Sequence, residues 1–151
     1  MTNHLKLADS YLRLSDEEKK YGNESESITN QREIIRDYCK KQGIIIVSEF
    51  VDDGYSGGNF ERPGFQAMLN HLAAGKANTV ITKDLSRLGR DMTESSYYAE
   101  RFFPEHGIHY LAPGNDFDSM GDNLMAPFQF AMNDVYLRDT SRKVKQTLDM
   151  K

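Results

Sequence analysis

The 151-residue chain has one cysteine, no long apolar run and no excess of positive charge. The single cysteine, Cys39, excludes an internal disulfide and fits a reducing cytoplasm, where we expect the protein to be located. It lies in a helical apolar stripe, which favours a small core residue over a nucleophile. No apolar run approaches the roughly 20 residues of a membrane span. The opening residues also lack the apolar stretch of a signal peptide, so we expect no membrane partner.

The net charge of −4 argues, as a total, mildly against a nucleic-acid partner. Its distribution along the chain is more informative. Acidic residues crowd the early chain, at 16–18 and 24–26, whereas basic residues gather at 83–90 and 138–151. This division permits a local anion-binding face on an acidic protein.

The histidines and carboxylates offer little to a metal ion. The four histidines share no metal-ligand spacing, so we predict neither a metal nor a cofactor. Asp52 and Asp53 follow a predicted strand, but adjacent side chains diverge and no third ligand is near in sequence. A magnesium site there is the weaker interpretation.

Apolar runs of strand length alternate with helical stripes along the chain. This pattern predicts an α/β fold, a three-layer sandwich around a mainly parallel central sheet of about four to five strands, with a long C-terminal helix. We assign residues 1–122 to the body of the domain and 123–151 to that helix. The β-branched run 44–51 predicts a second strand that is buried on both faces.

A candidate site begins where the first predicted strand ends, at Ser15. Arg13 interrupts this strand and shares a face with Ser15, because side chains alternate along a strand. A cation and a hydroxyl are thus presented together at a C-terminal strand end, where open α/β sheets bind ligands. The plain alternative is a serine that caps a turn beside a solvent-directed arginine. Gln31, on the apolar face of the next helix, is either satisfied by backbone or reaches the site near Ser15.

A second group of cations follows the third predicted strand and begins at Lys83. Arg87 and Arg90 are three residues apart and would face one way on a turn or a helix start. Arginine pairs suit phosphate geometry, so the segment predicts an anion site. The alternative is an ordinary solvated loop, but the apolar Leu85 and Leu88 favour a packed segment.

The last predicted helix, 124–148, is apolar over its first two-thirds and basic at its end. Apolar residues on a helix that leaves the body of a domain favour a partner, so we expect a homo-oligomer, first of all a dimer. The alternative is a helix that packs back on the sheet. The basic end is then available for an anion such as DNA, through Arg138, Arg142, Lys143 and Lys145.

Four segments, taken together and in order, carry a family resemblance. They are Tyr11-Leu12-Arg13-Leu14-Ser15, Ser27-Ile28-Thr29-Asn30-Gln31-Arg32, Asp53-Gly54-Tyr55-Ser56-Gly57 with Arg62-Pro63-Gly64-Phe65, and Leu85-Ser86-Arg87-Leu88-Gly89-Arg90. Over nearly its whole length the chain resembles the serine site-specific recombinases, the resolvase and invertase family. Segments 62–65 and 83–86 are most similar to the large, transposon-borne branch.

The resemblance implies a role for each site residue. Ser15 would attack a DNA phosphodiester and become joined to the 5′ phosphate, after which strands are exchanged and resealed. Arg13, Arg87 and Arg90 would surround the scissile phosphate, and Gln31 would help to place Ser15 or the phosphate. The partners implied are double-stranded DNA and further copies of the chain, a dimer that becomes a tetramer in the synaptic complex.

The chain also departs from the family pattern. Many members carry an aspartate where this chain has Ser86, so Ser86 and the nearby Asp84 and Lys83 are candidates for accessory roles. Many small relatives have a basic residue where Gly54 stands. Relatives continue beyond Lys151 into a separate DNA-binding region, so we expect a missing C-terminal region and only weak DNA binding by this part alone.

Two other functions compete with recombination. The apolar last helix would also suit a non-catalytic, DNA-associated oligomerisation module. The acidic pair after the second strand, with Lys83, would suit a phospho-accepting receiver-like domain, in which only Asp84 could be the acceptor. An intact set of Ser15 and arginines counts against the oligomerisation module.

Overall fold

The computed structural model describes residues 5–21, 27–55 and 62–119. Strands and helices alternate through this part of the chain. They are β1 (Leu7–Ser15), α1 (Asp16–Tyr21), α2 (Ile28–Gln42), β2 (Ile45–Tyr55), α3 (Pro63–Ala73), β3 (Thr79–Ile81), a 3-10 turn (Leu85–Arg87), α4 (Met92–Tyr97), a π-helical turn (Tyr98–Phe102), α5 (Phe103–Glu105), β4 (His109–Ala112), a second 3-10 turn (Pro113–Asn115) and β5 (Phe117–Asp118).

The strands form one five-stranded sheet in the order β2-β1-β3-β4-β5. β1 pairs in parallel with β2 and β3, β3 pairs in parallel with β4, and β5 is antiparallel to β4. The predicted α/β sandwich around a mainly parallel sheet is thus confirmed. The predicted C-terminal helix and the boundary at 122/123 lie outside the described residues. No helix in the described ranges is long and apolar enough to cross a membrane.

Helices cover both faces of the sheet, because the side chains of β1 alternate between two apolar clusters. Leu12 packs with Ile35 of α2 on one face. Tyr11 packs with Phe65 of α3 and with Phe103 of α5 on the other. β1 is therefore the central element of the fold, and its C-terminal end lies between the two helical layers.

The sequence predicts a helix over residues 25–42, capped by Ser25 or Ser27 and ended by Gly43, and α2 spans Ile28–Gln42. The Ser27 side chain accepts a hydrogen bond from the backbone N–H of Asn30 at 3.0 Å and caps the first turn. Gly43 ends the helix with φ 71°, a left-handed conformation in which glycine is favoured. Gln31 and Cys39 lie on the buried face of the helix.

The prediction that the second strand is buried on both faces is wrong. Ile45 is 47% exposed and Val47 is 41% exposed. β2 is an edge strand, and a β-branched run does not distinguish an edge strand from a central one. The strand also continues to Tyr55, through residues predicted as a loop, because the long β1 continues to pair with it.

Two polar segments form regular structure that their sequence did not predict. The run of charged residues after Ser15 forms α1. The polar segment that begins at Pro113 contains β5, which is two residues long. A strand of that length is too short to show alternation in a sequence.

Cys39 should be almost inert toward alkylation in the folded protein. The residue is 2% exposed, and burial raises the pKa of its thiol to about 11. At pH 8 about one thiol in 10³ is then a thiolate, the reactive form. We expect mass spectrometry to show negligible labelling by iodoacetamide in native buffer and complete labelling in guanidinium. Rapid, complete labelling of the native protein would contradict a buried core role.

Candidate active site at the end of the central strand

The backbone of Arg13 is held by a side chain from α2. Among the described residues, β3 pairs with β1 only at Ala8–Ser10, so none of the described strands lies beside that edge of β1 beyond Ser10. There the Gln31 side chain makes the hydrogen bonds that a neighbouring strand would make. Gln31 Nε2 donates to the Arg13 carbonyl at 2.9 Å, and Gln31 Oε1 accepts from the Arg13 N–H at 3.2 Å. The fully buried amide of Gln31 thus forms its hydrogen bonds with the backbone and also lies at the predicted site.

The side chains of Arg13 and Arg87 are linked to each other's segment of backbone. Arg87 Nη1 donates to the Arg13 carbonyl at 3.0 Å, and Arg13 Nη2 donates to the carbonyl of Ser86. Arg87 is only 5% exposed, which is rare for a charged side chain unless it is paired. Burial and the neighbouring positive charges of Arg87 and Arg62 lower the pKa of Arg13. The structure therefore concentrates positive charge at the C-terminal end of β1.

Ser15 ends β1 and begins α1 through a reciprocal pair of hydrogen bonds with Glu18. The Glu18 N–H donates to Ser15 Oγ at 3.1 Å, and the Ser15 N–H donates to Glu18 Oε1 at 3.1 Å. This arrangement is a capping box, which the spacing Ser-x-x-Glu could have predicted. Glu18 is a site residue that the sequence analysis missed.

The Glu18 carboxylate joins Ser15 to Arg87. Arg87 Nη1 lies 2.9 Å from Glu18 Oε1 and 2.8 Å from Oε2. Partial burial disfavours the charged carboxylate, but the hydrogen bonds from Ser15 and the positive charge of Arg87 outweigh it and lower the pKa of Glu18. Ser15, Glu18, Arg87 and Arg13 thus form one connected polar cluster.

The turn that carries Arg87 is fixed from several sides. The Leu85 N–H donates to Asn115 Oδ1 at 2.7 Å, and the Leu85 carbonyl accepts from Ser95 Oγ at 2.9 Å. Gly89 donates to the same Ser95 Oγ, and a Cβ at Gly89 would lie 2.5 Å from the Ser95 backbone nitrogen, so only glycine fits there. Leu88 is fully buried. The segment is packed as predicted, and this packing fixes the backbone from which Arg87 reaches the site.

Arg62 is a second buried arginine, after Arg87, and the sequence analysis gave it no role. It is 8% exposed, its Nη1 donates to the Leu88 carbonyl at 2.6 Å, and its Nη2 pairs with Glu94. Its guanidinium carbon lies 3.9 Å from the centroid of the Phe65 ring, a cation–π contact. Arg90, by contrast, is exposed, and its Nε pairs with Glu94 at 3.1 Å. Arg87 and Arg90 therefore have different carboxylate partners rather than a shared direction.

Two of the candidate accessory residues, Asp84 and Ser86, are bonded to one another, and the third, Lys83, is bonded to Gly114. Asp84 Oδ1 accepts from the Ser86 N–H at 2.9 Å and from the Ser86 hydroxyl, and so caps the 3-10 turn. The Lys83 carbonyl accepts from the Gly114 N–H at 2.7 Å. These contacts give Asp84 and Ser86 a part in shaping the turn that carries Arg87.

The acidic pair after the second strand forms no metal centre in the described residues. Within 5–21, 27–55 and 62–119, no group of three or more histidine, cysteine, aspartate and glutamate side chains is arranged to hold an ion. Asp52 is 1% exposed and bonds to Tyr11 and to the first turn of α3. Asp53 lies 3.6 Å from Lys19. The predicted DNA-contacting residues Arg138, Arg142, Lys143 and Lys145 lie outside the described residues.

Comparison with known protein families places the chain in one of them. Residues 8–151 match the family described as resolvase, N-terminal domain. The chain therefore belongs to the resolvase family of serine recombinases, as its motifs predicted. One known protein is similar to part of the chain. The uncharacterised immunity region protein 3 of Bacillus phage phi105 is 35% identical over 65 residues, which are 43% of this chain and 77% of that protein.

Two crystal structures share the fold. The N-terminal catalytic domain of TP901-1 integrase superposes with a TM-score of 0.68 at 22% identity, over 92% of this chain and 98% of that one. A resolvase family site-specific recombinase from Streptococcus pneumoniae superposes with a TM-score of 0.70 at 21% identity, over 97% of each chain. At these identities the likeness establishes the architecture, and the chemistry must be argued from this chain's own residues.

Proposed function

We propose that this chain catalyses site-specific DNA recombination, with Ser15 as the nucleophile. The observation that carries the proposal is the junction of Ser15 with Arg87 and Arg13 at the end of the central strand. The family and the related integrase and recombinase domains support the reaction class. The polar cluster supports the choice of residues.

The reaction has two balanced halves. Ser15 Oγ attacks the scissile phosphorus and loses its proton, an Oγ–P bond forms, and the bond from phosphorus to the 3′ oxygen breaks. The 3′ oxygen takes up a proton and leaves as a hydroxyl, and the 5′ phosphate stays on Ser15. After strand exchange, a 3′ hydroxyl attacks the phosphoserine, which restores the DNA backbone and the free serine. The phosphodiester energy is conserved, so no ATP is required.

The arginines supply the positive charge that helps a serine hydroxyl to attack a phosphate. Serine is a weak nucleophile without activation. Guanidinium groups beside the phosphate stabilise the negative charge that grows on its oxygens in the transition state. A single well-placed donor of this kind contributes about 3 to 4 kcal/mol in other enzymes. Arg13 and Arg87 are the groups best placed for this role, and Gln31 holds the Arg13 backbone from which one of them extends.

Double-stranded DNA and further copies of the chain are the partners of this reaction. Recombination joins two DNA duplexes, and each of the four strands that are cut needs its own serine. A dimer that binds one duplex and a tetramer that brings two together meet this requirement. We expect the predicted C-terminal helix, with Arg142 and Lys143, to contribute to both contacts.

Covalent capture tests the proposed chemistry directly. The protein is incubated with a pool of randomised duplexes, the reaction is stopped with SDS, and DNA that stays attached to protein is recovered and sequenced. Digestion with nuclease and protease, followed by mass spectrometry, then locates the nucleotide on a peptide. We expect the modified residue to be Ser15, joined to a 5′ phosphate. Attachment at another residue, or to a 3′ phosphate, would overturn the proposal.

A further inference from the structure

The positive charge at the site is already matched by negative charge from the same domain. Arg87 Nη1 contacts both oxygens of Glu18, at 2.9 Å and 2.8 Å, and the Arg13 carbonyl at 3.0 Å. Glu18 also accepts from the Ser15 N–H at 3.1 Å. A carboxylate therefore lies between the proposed nucleophile and the most buried arginine of the cluster. This is the region in which a substrate phosphate would have to bind.

The same arginines retain unused donor capacity. Arg13 Nε and Arg87 Nε are buried, and neither has a hydrogen-bond partner among the described residues. Buried N–H groups are almost always paired in folded proteins, and each unpaired one carries a desolvation cost. A planar guanidinium can give a phosphate two parallel hydrogen bonds, through Nε and one Nη. In Arg87 the Nε of this edge is unpaired, whereas Nη1, on the other edge of the guanidinium, is occupied by Glu18.

We propose that the Glu18 carboxylate is an internal counterion, which holds Arg87 at the end of β1 until a phosphate group displaces it. The inference rests on the proposed function, because that function supplies the phosphate. Phosphate and carboxylate are both anions, so they repel one another and compete for Arg87 Nη1. Binding of a phosphate then exchanges one ion pair for another and frees Glu18 from Arg87. Glu18 is thus a positioning residue, acting through Arg87 and Ser15.

Substitution of Glu18 by glutamine separates its charge from its geometry. A glutamine oxygen can still accept from the Ser15 N–H, so the capping box is kept while the negative charge is removed. We expect Glu18→Gln to bind inorganic phosphate about tenfold more tightly than the unsubstituted protein at low salt, which corresponds to about 1.4 kcal/mol. The titration is followed by the ¹H–¹⁵N signals of the arginine Nε–H groups, assigned with Arg13→Lys and Arg87→Lys. Potassium chloride at equal ionic strength provides the salt control.

Glu49→Gln is the matched control. Glu49 also forms an ion pair with an arginine, Arg32, at 2.9 Å, and its side chain is 26% exposed compared with 27% for Glu18. The substitution removes the same charge from the chain at another glutamate–arginine pair, in which Arg32 Nε and Nη2 donate to Glu49. We expect its phosphate affinity to equal that of the unsubstituted protein. An increase as large as that of Glu18→Gln would overturn the inference, because it would show a general effect of net charge.

The unsubstituted protein offers a second measurement, which does not depend on the variant being folded. If phosphate and Glu18 compete for Arg87, saturation with phosphate must raise the pKa of Glu18, since linkage is reciprocal. The pH dependence of the Glu18 side-chain carboxyl ¹³C signal reports this pKa. An unchanged pKa with phosphate bound at Arg87, or equal phosphate affinity with and without the Glu18 charge, would overturn the counterion role. Failure of every form of the protein to bind phosphate would instead count against the proposed function.

Discussion

Replacement of Ser15 by alanine is expected to reduce covalent attachment of DNA by at least about 10³-fold, because no other group replaces a lost nucleophile. The domain should stay folded. Ser15 caps α1 through its Oγ, and loss of such a cap costs about 1 kcal/mol, a fraction of the stability of an ordinary domain. The measurement is the yield of SDS-resistant protein–DNA adduct, with circular dichroism and urea unfolding as tests of the fold.

Ser27→Ala is the matched control for this experiment. Ser27 caps α2 with the same geometry, accepting from the N–H three residues later at 3.0 Å. Both substitutions remove a serine hydroxyl and a helix cap, but only Ser15 lies in the polar cluster. We expect Ser27→Ala to lose a similar amount of stability and to keep its adduct yield. An adduct that survives in Ser15→Ala, or disappears equally in Ser27→Ala, would contradict the nucleophile role.

The parts of the fold that the sequence predicted are those set by local rules. Ser27 and Gly43 mark the ends of α2 because a capping hydroxyl and a left-handed residue are needed there. The position of β2 at the edge of the sheet depends instead on which strands pair with one another. This long-range pairing cannot be predicted from the residues of β2 alone. The exposure of Ile45 and Val47 follows from that pairing.

The candidate site also combines features that local patterns predict with features that depend on long-range contacts. Arg13 and Gln31 could be placed together because a strand end and an inward-facing helical amide are both readable from spacing. The directions of Arg87 and Arg90 could not be predicted from spacing, because the 3-10 turn ends before a helical face can form. Arg90 also forms an ion pair with Glu94. Arg62 was missed because the burial of a charged side chain depends on a partner distant in sequence, here the same Glu94.

Asp52 connects the site to the fold, and Asp52→Ala is expected to lower the free energy of unfolding by about 3 to 4 kcal/mol. Its buried carboxylate accepts from the Tyr11 hydroxyl at 2.6 Å and from the N–H groups of Gly64 at 2.8 Å and Phe65 at 3.0 Å. Arg62 precedes α3 and provides no side-chain cap, so Asp52 caps this helix from β2. Alanine would leave these donors unpaired in the core. Urea unfolding followed by circular dichroism measures the loss.

The neighbouring residue provides the control. Asp53→Ala removes the same side chain one position further on, where it is 39% exposed and 3.6 Å from Lys19, so we expect a loss below about 0.5 kcal/mol. Tyr11→Phe should lie between the two, at about 1 to 2 kcal/mol, because it removes one of the three donors and leaves the carboxylate bound by the other two. Equal losses for Asp52→Ala and Asp53→Ala would contradict the capping role. The expected order would show that one buried carboxylate joins β1, β2 and α3, and so fixes the helix start beside which Arg62 donates to the Leu88 carbonyl.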